Sequence, residues 1–101
     1  MRIKPTPGTY HLNGDDGTSA LISITSEGAV YFVPMPFGPP VQIPLEWVDI
    51  PNGPVLIGTI PPFGVTIYLG FEPPNAFGGW SQDRHGDTIP GSDCEGTYEP
   101  M

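Results

Sequence analysis

The sequence predicts an all-β domain, an antiparallel sandwich or small barrel of six to eight short strands joined by proline-rich loops. Three observations carry this. Glycine (14) and proline (15) are spread along the 101 residues, and the longest stretch free of both, Thr18 to Glu27, is ten residues. A typical globular helix needs about 11–12 residues, and an interior proline costs it about 3 kcal/mol. The apolar residues also gather in strand-length blocks that alternate with period two. Those blocks recur at roughly 8–12-residue spacing, the rhythm of sandwiches and barrels. An α-helical domain and an α/β fold with crossover helices are thereby excluded. No run approaches the roughly 20 apolar residues of a membrane-spanning helix.

Residues 1–7 read as a proline-containing lead-in, and residues 8–101 as a single β domain. Thr9–Asn13 is a short strand, and Gly14-Asp15-Asp16-Gly17 is a turn whose residues tolerate the positive φ of tight hairpins. Thr18–Thr25 follows with Ala20, Ile22 and Ile24 on one face. Ser26-Glu27-Gly28 turns the chain into Ala29–Val33, with Val30 and Phe32 on one face and Tyr31 and Val33 on the other. The segment Pro34–Pro40 reads as an extended loop, because proline lacks the ladder donor. Val41–Ile43 is an edge segment. Leu45–Ile50 is a strand that places Leu45 and Trp47 opposite Glu46 and Val48, with either face open to burial. Val55–Ile60 and Val65–Phe71 flank Pro61-Pro62-Phe63-Gly64 as a hairpin, and Val65, Ile67, Leu69 and Phe71 form a continuous core face. Pro73–Trp80 and Ser81–Gly91 read as loops. Gly96–Glu99 is a last strand that echoes Gly8-Thr9-Tyr10, as first and last strands that pair and close a sheet would.

Charge and cysteine usage bound the function. The net charge is −8, from 11 acidic and 3 basic residues. Arg2, Lys4 and Arg84 cannot neutralise a track of phosphates, so direct nucleic-acid binding is not expected. The same argument disfavours an anionic membrane. Acidity suits solubility or a basic partner surface. Cys94 is the only cysteine, which excludes an intrachain disulfide. The N-terminus has no apolar signal-peptide core, and synthesis in a cytoplasm is expected.

Candidate chemistry is sparse. On an extended backbone Asp83, His85 and Asp87 point one way, and His11 would complete two imidazoles with carboxylates. The spacing matches no established metal motif, and a solvated loop explains it. Asn13–Gly17 offers calcium-type oxygens but lacks the bidentate glutamate and the helices of such a loop. Cys94 lies between Asp93 and Glu95, whose charges disfavour the reactive thiolate. No serine elbow and no phosphate-cradling glycine loop is present. The sequence therefore predicts no enzyme, no cofactor and no metal.

The informative anomaly is large apolar side chains in loop-like segments: Met35, Phe37, Phe63, Phe77 and Trp80. Such residues either cap a barrel end or form a contact patch, and aromatics and methionine favour interface cores. They are the predicted partner contacts of a non-enzymatic structural module that docks on a larger assembly, with homo-oligomerisation as a further option. In size, β texture, acidity and apolar proline loops the chain resembles the small decoration or minor structural proteins of tailed bacteriophages. That resemblance implies a virion location and transfers no residue. A second reading is a small ligand-binding barrel. Gly79-Trp80, Thr88-Ile89-Pro90-Gly91 and Gly96-Thr97-Tyr98 resemble the closing strands of avidin-like and lipocalin-like barrels, which implies a lining of Trp47, Trp80, Tyr10 and Tyr98. A third is an acidic inhibitor that mimics nucleic acid, although the acids are scattered.

Overall fold

A computed structural model describes residues 1–34, 36–60 and 64–101. Eight strands follow one another: β1 (Gly8–Gly14), β2 (Ser19–Ile24), β3 (Gly28–Val33), β4 (Val41–Ile50), β5 (Gly53–Ile60), β6 (Val65–Glu72), β7 (Ala76–Gln82) and β8 (Cys94–Pro100). Each pairs antiparallel with the next, and β8 pairs with β1 to close a barrel. The architecture is all-β, and of the two predicted forms it is the barrel. The pairing of first and last strands expected from the Gly-Thr-Tyr echo is present, with Leu12 opposite Tyr98.

The register fixes which residues face the lumen. Tyr10 is opposite Ile22, Ile22 opposite Tyr31, and Tyr31 opposite Ile43. Leu56 is opposite both Trp47 and Leu69, and Phe71 is opposite Phe77. Side chains alternate along each strand, so the even positions of β1 and β2 and the odd positions of β3, β4, β6 and β7 point inward. The core cluster follows that parity, with Phe71, Ile22, Ile24 and Leu56 nearly inaccessible; Val55, on the other face of β5, is also buried but lies outside the cluster. The open choice in β4 is settled: Leu45 and Trp47 face inward and pack in or against the core.

Two elements depart from the sequence reading. Val41–Ile50 is one strand that runs through Pro44. The ladder from β4 to β5 starts only at Glu46, so Pro44 sits where β4 is an edge on that side, a position a strand proline tolerates. Residues 76–82, expected to be loop, form β7. Its glycines reflect close approach: a Cβ on Gly79 would lie 2.6 Å from the Tyr68 carbonyl oxygen.

The barrel ends differ. The short connections at 25–27, 51–52 and 73–75 lie at one end, which we term the closed end; the longer ones at 34–40 and 83–93 lie at the other, the open end. The closed end is filled by a chain of rings. Tyr10 and Tyr98 meet edge-on at 5.5 Å, Tyr98 and Phe71 at 5.0 Å, and Phe71 lies 6.5 Å from Trp47. Residues 1–7 run against this end. The Ile3 amide donates to the Phe71 carbonyl oxygen at 2.8 Å, where β6 extends beyond its ladder to β5. Pro5 is buried, and the Tyr10 hydroxyl donates to the Thr6 carbonyl. Lys4 lies over the Trp47 ring. Removing residues 2–7 exposes rings and orphans backbone groups, at a cost of about 2–3 kcal/mol. The melting temperature should fall by about 10 °C or more in a domain of this size. A calorimetric scan that shows the truncated chain melting with the full one would contradict this role.

Candidate functional site

The five predicted contact residues fall in different places. Met35 and Phe63 lie outside the described residues. Phe37 stands 92% exposed in the 34–40 loop at the open end. Phe77 is on the lumen face of β7, opposite Phe71, and is 8% exposed. It belongs to the core because strand parity turns it inward. Trp80 is on the outer wall, stacked on its cross-strand neighbour Tyr68 at 4.9 Å with the rings 1° from parallel. The Arg2 guanidinium lies 5.7 Å from the Trp80 ring centroid, and the Tyr68 hydroxyl donates to Gln82 Oε1 at 2.9 Å. Trp80 is thus held in a cross-strand stack and does not stand free.

The described structure adds an apolar surface next to Phe37. Leu21 and Phe32 are directly paired across β2 and β3 and face outward. With Pro34, Pro40, Met101 and the edge of His11 they line a groove of about 430 Å³. Phe37 stands in the loop whose two ends, Pro34 and Pro40, line this groove. An outer barrel wall that meets only water is normally polar at such positions. Sequence reasoning missed Leu21 and Phe32. The available signal was the run Ala29-Val30-Tyr31-Phe32-Val33, which is apolar on both of its faces.

The ring set proposed for a ligand barrel is not gathered around a space. Tyr10, Trp47 and Tyr98 are inward at the closed end, linked through Phe71 in one packed chain. Trp80 is on the opposite side of the wall. A different lumen space exists at the open end, about 320 Å³, against Leu12, Ala20, Tyr31, Val33, Phe77 and Cys94.

The polar candidates resolve into turns and surface pairs. Asp83 Oδ1 accepts from the His85 and Asp87 amides at 2.8 and 3.0 Å, which holds its carboxyl below the usual range. Asp16 Oδ1 accepts from the Thr18 hydroxyl and amide at 2.6 and 3.0 Å, and its carboxyl is likewise lowered. His11 Nδ1 is 3.5 Å from Glu99 Oε1, on the wall between β1 and β8. Among the described residues no group of three or more His, Cys, Asp or Glu is placed to hold a metal ion. Partial burial pushes the Cys94 thiol up, and Asp16, Asp93 and Glu95 add to this. Cys94 should therefore react with iodoacetamide at pH 7.5 more slowly than free cysteine does, and faster as pH rises. A rate equal to or above that of free cysteine would show that its surroundings do not suppress the thiolate.

Among the described residues no helix is long and apolar enough to cross a membrane. No family model matches the chain, and no curated protein or solved structure matches it either.

Proposed function

We propose that the protein is a non-enzymatic docking module that binds a larger protein assembly through the outer wall of β2–β3 and the 34–40 loop. The observation that carries this is the outward Leu21–Phe32 pair forming an apolar groove beside a phenylalanine that is 92% exposed. Burying Phe37 fully would contribute about 2–3 kcal/mol. Prolines 36, 39 and 40 restrict the loop around it, so little entropy is lost on docking. Surface apolar groups scattered singly need no partner, whereas Leu21, Phe32, Pro34 and Pro40 line one groove, and an apolar cluster of this kind marks an interaction site. The charge of −8 complements a basic partner surface and would speed encounter at low salt. A virion surface is the setting implied by the chain's similarity in texture to small phage decoration proteins.

The test is size fractionation of extracts from the cell or particle that carries the protein. The wild type should migrate in a high-mass complex. Phe32→Ser and Phe37→Ala should migrate as free 10.8 kDa chains with the wild-type circular dichroism spectrum. Wild-type protein found only as the free chain, or both variants retained in the complex, would contradict the proposal.

A further inference from the structure

We infer that the open end of the barrel holds a binding cup for a small, flat, apolar molecule that carries one hydrogen-bonding group for the Tyr31 hydroxyl. The cup is a consequence of side-chain size along the register. At the closed end the inward positions are taken by Tyr10, Trp47, Phe71 and Tyr98, and the rings fill the lumen. An eight-stranded barrel is just wide enough to be filled by such side chains or to hold one small ligand. Near the open end the inward positions of β1 and β2 are Gly14, over which the Thr18 hydroxyl and the Asp16 carboxylate lie, and Ala20, whose small side chain leaves space in the lumen. Leu12 and Phe77, 2% and 8% exposed, make the floor; Tyr31 and Val33 make one wall and Cys94 the other. The space is about 320 Å³. An apolar cavity of about 150 Å³ takes one benzene, so this one suits about two fused rings. Phe37 of the same chain does not occupy it, being exposed.

Of the polar side chains that line the cup, the Thr18 hydroxyl already donates to Asp16 Oδ1 at 2.6 Å and Ser19 is exposed at the rim, which leaves Tyr31 and Cys94 within. The Tyr31 hydroxyl is on a partly buried ring that lines the cup. A ligand that pairs with it gains the net of one neutral hydrogen bond. The Cys94 thiol, pushed up by partial burial, adds no charge of its own at neutral pH, and the Asp16 carboxylate over Gly14 is at the rim. The recognised chemistry is therefore an aromatic or alicyclic body with a single hydroxyl or carbonyl, held without a covalent bond. The cup and the Leu21–Phe32 groove meet at Ser19, Ala20 and Pro34 on the rim, but Leu12, Tyr31, Val33 and Cys94 line only the cup and Leu21 and Phe32 only the groove.

Titration of the full chain with 2-naphthol and with naphthalene, followed by amide proton–nitrogen NMR, tests the inference. Saturable shifts are expected at Leu12, Ala20, Val33 and Cys94 with both probes. Tyr31→Phe should weaken 2-naphthol about five-fold, the equivalent of one neutral hydrogen bond, and leave naphthalene unchanged. Ala20→Leu fills the cup and should weaken both at least ten-fold. If that variant does not fold, the Tyr31→Phe comparison decides alone. Phe37→Ala should leave both affinities unchanged, which separates the cup from the docking wall. The inference is overturned if neither probe shifts the cup residues up to its solubility limit. It is equally overturned if the shifts cluster at Leu21 and Phe32, or if Tyr31→Phe does not alter the preference for 2-naphthol.

Discussion

Phe71→Ala is expected to lower the melting temperature by about 12 °C or more, the largest stability loss of any single substitution at the closed end. Phe71 has no exposed surface. Its ring contacts both Tyr98 and Trp47, so it joins the two halves of the aromatic chain. Its carbonyl accepts from Ile3, so a shift of its backbone would also loosen the N-terminal segment. Truncating a buried phenylalanine costs about 3–5 kcal/mol, through lost transfer energy and the cavity left behind. Domains of this size have only about 5–15 kcal/mol in total, so a large part of the chain should be unfolded at 37 °C. Circular dichroism melts of wild type and variant measure this. A loss below about 5 °C would mean that the closed end is not the stability centre.

Phe37→Ala is expected to do the reverse. Its ring makes little contact with its own chain, so the melt should stay within about 2 °C of wild type, as for ordinary surface substitutions. Binding to the assembly should weaken at least ten-fold, because an apolar anchor at a contact centre commonly contributes about 2 kcal/mol or more. Phe77→Ala supplies the contrast. Both phenylalanines sit in proline- and glycine-rich sequence, but Phe77 faces the lumen and should lose stability in the manner of Phe71. Equal melts for the Phe37 and Phe77 variants would contradict the placement of these two rings.

The difference between those two residues shows how far the sequence could be read. Alternation alone identified the core faces of β2 and β6, where every second residue is apolar. The Gly-Thr-Tyr echo, a separate signal, pointed to β1 and β8 as closing partners. It failed at β7, because Pro73-Pro74 and Gly78-Gly79 carry the local signature of a loop. The reason for Gly79 is non-local: the Tyr68 carbonyl occupies the space a side chain would need. With β7 hidden, the parity that turns Phe77 inward and Trp80 outward was hidden as well. Pro44 failed in a similar way, since its tolerance depends on where the β4–β5 ladder begins. The docking wall was partly legible. Val30 and Phe32 were assigned to one face of β3, but only barrel closure shows that this face is the outside. The open-end cup was not legible, because it depends on Gly14 and Ala20 meeting Tyr31 and Cys94 across strands distant in sequence.

The apolar wall of β2–β3 and the 34–40 loop together form the proposed contact. Photo-crosslinking from p-benzoylphenylalanine at position 37, in the cell or particle that carries the protein, tests it directly, with His85 on the other open-end loop as the control position. The account predicts one discrete covalent adduct with a partner protein from position 37 and little or none from position 85. Recovery of only the free chain from position 37, or adducts of equal yield from both positions, would contradict it.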